Sequence, residues 1–66
     1  MPPVWKPQDP EILKHWVKEL MENPSEELTD WEERFVKDMW YRLELKNPLT
    51  QYQEEKLEEI YAEKTS

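Results

Sequence analysis

Residues 28–53 read LTDWEERFVKDMWYRLELKNPLTQYQ, a stretch that starts one helix, stops it and starts the next. A threonine followed three places later by Glu or Gln is the signature of a capping box. In it the hydroxyl and the acid or amide each accept a backbone N–H that a helix start leaves unpaired. Thr29 with Glu32 and Thr50 with Gln53 both fit. Between the boxes Trp31, Phe35, Met39 and Leu43 return once per helical turn, and Val36 and Trp40 widen the stripe. Asn47-Pro48 is the stop, because proline drives the residue before it out of the α region. The spacing predicts one helix from the Thr29 cap to about Lys46. A second runs from the Thr50 cap to near Lys64, with Tyr52, Leu57, Ile60 and Tyr61 on one side. The short link from Asn47 to Leu49 folds the two into an antiparallel hairpin.

The same punctuation occurs earlier in the chain. Asn23-Pro24 is another stop, and Asp9-Pro10 another start, with Asp9 as cap and Pro10 at the first helical position, where its missing N–H costs nothing. Between them Ile12, Leu13, Trp16, Val17, Leu20 and Met21 follow one helical face, giving a helix over Pro10 to Glu22. Residues 1–8 hold Pro2, Pro3 and Pro7 around Val4 and Trp5, which suits an extended arm and excludes a regular helix. The expected fold is therefore all-α: an extended Pro-rich arm over 1–8, then a single three-helix domain over 9–66 in which helix one packs on a helical hairpin. Leu13, Trp16, Val17, Leu20, Trp31, Phe35, Met39, Leu43, Leu57 and Ile60 are the expected core. Trp5 either straps back over it or stays free.

Composition narrows the function. A chain of 66 residues makes one domain whose core contributes only about 3–5 kcal/mol. It has no cysteine, so neither disulfides nor thiolate metal sites support it. Four Trp, three Tyr and one Phe take that part, unless a second copy does. No stretch is apolar for the length a membrane span needs, and the amino terminus lacks the pattern of a secretion signal. The expectation is a soluble cytoplasmic protein with no membrane partner. Nine Lys plus Arg against sixteen Asp plus Glu give a net charge of −7, which opposes direct nucleic-acid binding.

Catalysis finds little to use. There is one His, no Cys and no glycine turn to present backbone donors. His15 stands between Glu11 and Glu19 on one helical face, but those carboxylates are about 12 Å apart along the axis, too far for a shared ion without long reaches. No phosphate loop, zinc spacing or calcium loop is present, and no cofactor is expected. We read the chain as a binding protein and not an enzyme.

The candidate partner-binding residues fall into groups. Trp40 and Tyr41 are surplus to one inward stripe, and a Trp with a neighbouring Tyr is the usual composition of an interface hot spot. Arg34 and Lys37 lie beside them on the same helix. Trp5 sits in the arm. On the third helix Glu54 with Glu58, Glu55 with Glu59 and Glu59 with Glu63 are like-charge pairs one turn apart, each unfavourable by a few tenths of a kcal/mol. Glu55 and Glu59 are accordingly candidates for meeting a basic surface.

The hairpin also carries a resemblance. L-T-x-W-E-x-x-F-V-x-D-M followed by L-T-x-Y-Q-x-x-x-L-x-x-I-Y-x-K, over Leu28 to Lys64, is similar to a short helical hairpin found in many small bacteriophage proteins and appended to phage DNA-handling enzymes. It covers a little over half the chain. This sequence has Tyr52 where the pattern usually has Lys or Arg, and Asn47-Pro48 where it often has Gly. The resemblance implies a phage or prophage origin, hence a host-cell cytoplasm, and fixes no activity. The expected function is that of an accessory or inhibitory protein binding a protein partner through Trp40, Tyr41 and the acidic third helix. The alternatives are a DNA-mimicking inhibitor of a nucleic-acid-binding protein, an accessory module contacting nucleic acid, and a structural homodimer.

Overall fold

The computed structural model describes residues 5–65, which form three helices: α1 (Pro10–Glu22), α2 (Asp30–Glu44) and α3 (Gln51–Lys64). Each start is built as its sequence requires. Asp9 Oδ1 accepts the Glu11 N–H at 2.9 Å ahead of Pro10. Both capping boxes are closed. The Thr29 N–H donates to Glu32 Oε1 at 2.8 Å while the Glu32 N–H donates to Thr29 Oγ1 at 3.1 Å, and Thr50 and Gln53 do the same at 2.9 and 3.2 Å.

The ends differ more from expectation. α2 stops at Glu44 and does not reach Lys46. The Lys46 N–H donates to the Leu43 carbonyl at 3.1 Å and the Asn47 N–H to the Arg42 carbonyl at 2.8 Å. That pair of bonds is a Schellman motif, and it holds Lys46 at a φ of 60°, a left-handed conformation that glycine usually occupies and that costs a side-chain-bearing residue about 1 kcal/mol. With no glycine in the chain, lysine takes the position. The end of α3 is tied to the α1–α2 loop, since the Ser25 N–H and hydroxyl both donate to the Lys64 carbonyl, at 2.5 and 2.7 Å.

α1 packs on both α2 and α3 and contacts each more extensively than they contact each other. The core is Leu13, Val17 and Leu20 from α1, Val36, Met39 and Leu43 from α2, Leu49 from the link, and Leu57 and Ile60 from α3. This corrects the expected core in a consistent way: the large rings are at its edges. Trp31 is 51 % exposed, and Trp16 and Phe35 are half-buried. Trp31 instead stacks on Phe35, with centroids 5.3 Å apart and planes at 14°, and carries the Lys56 ammonium 5.5 Å from its ring. Three short helices leave a central space that fits aliphatic side chains, so the indoles cover the seams. Tyr52, expected on the inner side of α3, is exposed, while Glu54 is buried at 6 % exposure.

Candidate functional site

Trp40 and Tyr41 are neighbours in sequence but about 100° apart around α2. Tyr41 is 67 % exposed on the outer face. Trp40 turns toward α1, half-buried against the core, and with Lys18, Met21 and Glu22 lines a groove of about 410 Å³. Met21, 48 % exposed, also lines a second groove of about 460 Å³, whose floor is Leu20, Leu28 and Val36 and whose rim includes Glu27, Asp30 and Glu33. Two adjoining grooves that share Met21 thus run along the α1–α2 seam, with a largely acidic rim. Lys37 is on that rim too, and with Arg34 it borders a shallow depression shared with Asp30 and Glu33. Lys37 is already held by Glu33 at 3.0 Å. Arg42 is likewise held by Asp38, at 3.2 Å.

The acidic residues of α3 lie elsewhere. Glu55 accepts from the Gln51 side-chain amide at 3.0 Å and borders a small cavity with Trp5 and Trp16. Glu59 pairs with Lys56 at 3.6 Å, on the side of α3 where Lys56 meets Trp31. The structure therefore places Trp40 and Lys37 along the seam with Arg34 beside Lys37, Tyr41 on the outer face of α2, Trp5 and Glu55 in another region, and Glu59 in a third. Trp5, whose position the sequence left open, is half-buried on the folded-back arm.

Sequence reasoning missed two contributors. Met21 was placed on the inner face of α1, yet nearly half of it is open at the seam. Glu54, which the sequence offers only as half of a like-charge pair with Glu58, shares the spacing of Leu57 and Tyr61, three and seven residues on, and that register is the available signal.

One carboxylate outside these regions responds to its surroundings. Glu32 has its pKa held below the ordinary value of 4.5, chiefly by the backbone N–H of Thr29, with the Lys64 ammonium at 3.7 Å adding to the effect and partial burial opposing it. Lys64 also reaches Glu26 at 3.7 Å, so one lysine ties the end of α3 to the start of α2. A carboxylate whose folded pKa is depressed contributes its stabilisation above the unfolded pKa and loses it as pH falls through the folded value. Glutamine keeps the capping bond, as Gln53 does, and removes only the charge, so wild type is expected to exceed Glu32→Gln by about 0.5 kcal/mol in urea unfolding at neutral pH. The gap should close as the pH drops below 4.5. A gap that stays constant down to pH about 3, below the unfolded pKa of a glutamate, would show that the charge contributes nothing.

Comparison with protein-family models, curated proteins and solved structures returns no match for this chain. Among the described residues no helix is long and apolar enough to cross a membrane.

Proposed function

We propose that the chain is a small accessory or inhibitory protein of the bacteriophage type, without catalytic chemistry of its own, that seats a segment of a protein partner along the α1–α2 seam. The observation that carries this is an exposed apolar side chain beside a half-buried indole: Met21 is nearly half open next to Trp40, where two adjoining grooves share it. Amphipathic helices bind such grooves by inserting apolar anchors spaced one turn apart, and a partly sheltered Trp is the residue type most enriched where binding energy concentrates. The rim selects the partner's charge. Glu22, Glu27, Asp30 and Glu33 outnumber Lys18 and Lys37, and Lys37 is already bound to Glu33, so the complementary segment is basic.

Nucleic-acid mimicry by α3 has less to support it. Glu54 is withdrawn from the surface, Glu55 holds Gln51 and Glu59 holds Lys56, which leaves a thinner acidic strip than the sequence suggested.

The test begins with affinity capture from a bacterial lysate to obtain a partner, followed by calorimetry with the purified pair. Trp40→Ala is expected to weaken binding at least about tenfold. Because Trp40 also touches the core, Met21→Glu provides the same result from an exposed position. Tyr52→Ala, outside the seam, should bind as wild type. Unchanged affinity in both seam variants would overturn the assignment. Loss confined to Glu55→Lys with Glu59→Lys, together with steep salt dependence, would move the site to α3.

A further inference from the structure

Beside the arm, on the side of α1 that meets α3, lies a cavity of about 230 Å³ whose walls combine aromatic and acidic side chains. Two indoles, Trp5 and Trp16, line it together with three carboxylates, Glu54, Glu55 and Glu58. The Trp16 ring is fixed by stacking on Tyr61, with centroids 5.5 Å apart and planes at 24°. Trp5 is brought in by the arm, which is anchored where the Gln8 N–H donates to Glu54 Oε1 at 2.7 Å. Glu54 is more than nine-tenths buried, and its second oxygen has no hydrogen bond or ion pair among the described residues, yet it is not sealed from open space. Glu58 makes no ion pair among the described residues either. Among the described residues Lys6 is the one cation on the wall, and it stays exposed without forming an ion pair with any of the three acids.

Indole rings beside carboxylates that form no ion pair among the described residues favour one ligand class. A hydrated inorganic cation gains little from an indole face, and an anion is repelled by the carboxylates. An alkylammonium group places its polarised methyl or methylene groups on the rings and its charge toward the acids. We infer that this cavity is a binding site for an organic cation of the alkylammonium class, whether a free amine or the N-methylated lysine side chain of another protein. The net charge of −7 raises the local concentration of such a cation. The site is separate from the α1–α2 seam and does not depend on what binds there.

The probe is tetramethylammonium chloride, titrated into the full chain carrying ¹⁵N-labelled tryptophan, against sodium chloride at matched ionic strength. The expected result is saturable shifts of the Trp5 and Trp16 indole N–H signals, with Trp31 and Trp40 serving as internal controls. Affinity should fall about fivefold in Trp5→Ala, the loss expected from removing one cation–π face. Glu58→Gln, exposed and isosteric, should also weaken binding while leaving the fold intact. A short peptide bearing trimethyllysine forms the second arm. Tighter binding of the peptide than of tetramethylammonium assigns the cation to a protein side chain, and equal binding assigns it to a free amine; either upholds the site. Sodium producing the same shifts, all four indoles moving together, or both variants binding as wild type would overturn it.

Discussion

Leu57→Ala is expected to leave most of the chain unfolded in dilute buffer at room temperature. Leu57 is fully buried in α3 and belongs to the aliphatic cluster on which all three helices converge. Removing a buried leucine to alanine costs about 2–5 kcal/mol, the spread reflecting how far the surroundings collapse into the cavity. Collapse is restricted here, because the cluster it belongs to is made of fully buried side chains on other helices, Val17, Leu20, Val36 and Met39 among them. The cost should therefore fall in the upper part of that range. Against it stands a total of about 3–5 kcal/mol for a domain of this size with no disulfide. Far-UV circular dichroism should show most of the helical signal lost, and urea titration should show no native baseline. Tyr52→Ala, an exposed ring on the same helix, should change stability by less than about 0.5 kcal/mol. A cooperative urea transition in Leu57→Ala with the wild-type midpoint would mean that the described core is not what holds the helices together.

What could be read in the sequence was local, and what could not was either long-range or a matter of which edge of a stripe faces inward. The helix starts were legible because a cap is decided within four residues: Asp9-Pro10, Thr29 with Glu32 and Thr50 with Gln53 need no tertiary information. The end of α2 was not, because the Schellman turn there uses Lys46 in a conformation normally signalled by glycine. Periodicity found the stripe of α2 but set its centre one edge too far toward Trp31 and Phe35. The observed centre is Val36, Met39 and Leu43, and only the position of Lys56 on α3 shows why Trp31 can stay at the surface. The candidate site divides in the same way. That Trp40 was special followed from the surplus of aromatics on α2. That it faces Met21, and that Tyr41 beside it does not, required the placement of α1.

Glu54→Ala is expected to detach the arm. The carboxylate lies at a position whose spacing belongs to the core, and its Oε1 accepts the backbone N–H of Gln8, a residue 46 positions away. Alanine removes that acceptor and leaves a partly buried N–H unpaired, at a cost of about 1–3 kcal/mol, comparable with the little that holds an extended segment in place. The Gln8 amide should then exchange with solvent at least about tenfold faster, the kinetic equivalent of 1.4 kcal/mol at the lower end of that range. Trp5 should become more accessible to iodide quenching. Glu54→Leu separates the arm from the core, because leucine removes the acceptor while placing an apolar side chain of similar size at a position whose spacing belongs to the core. The leucine variant should therefore free the arm as alanine does while unfolding in urea at or above the wild-type midpoint. That combination would establish that the glutamate holds the arm, and with it Trp5, against α3 at some expense to the bundle. If Gln8 exchange is unchanged in both variants, the arm is held by its own apolar contacts with Trp16 and the neighbouring helices, and the buried acid has no part in placing it.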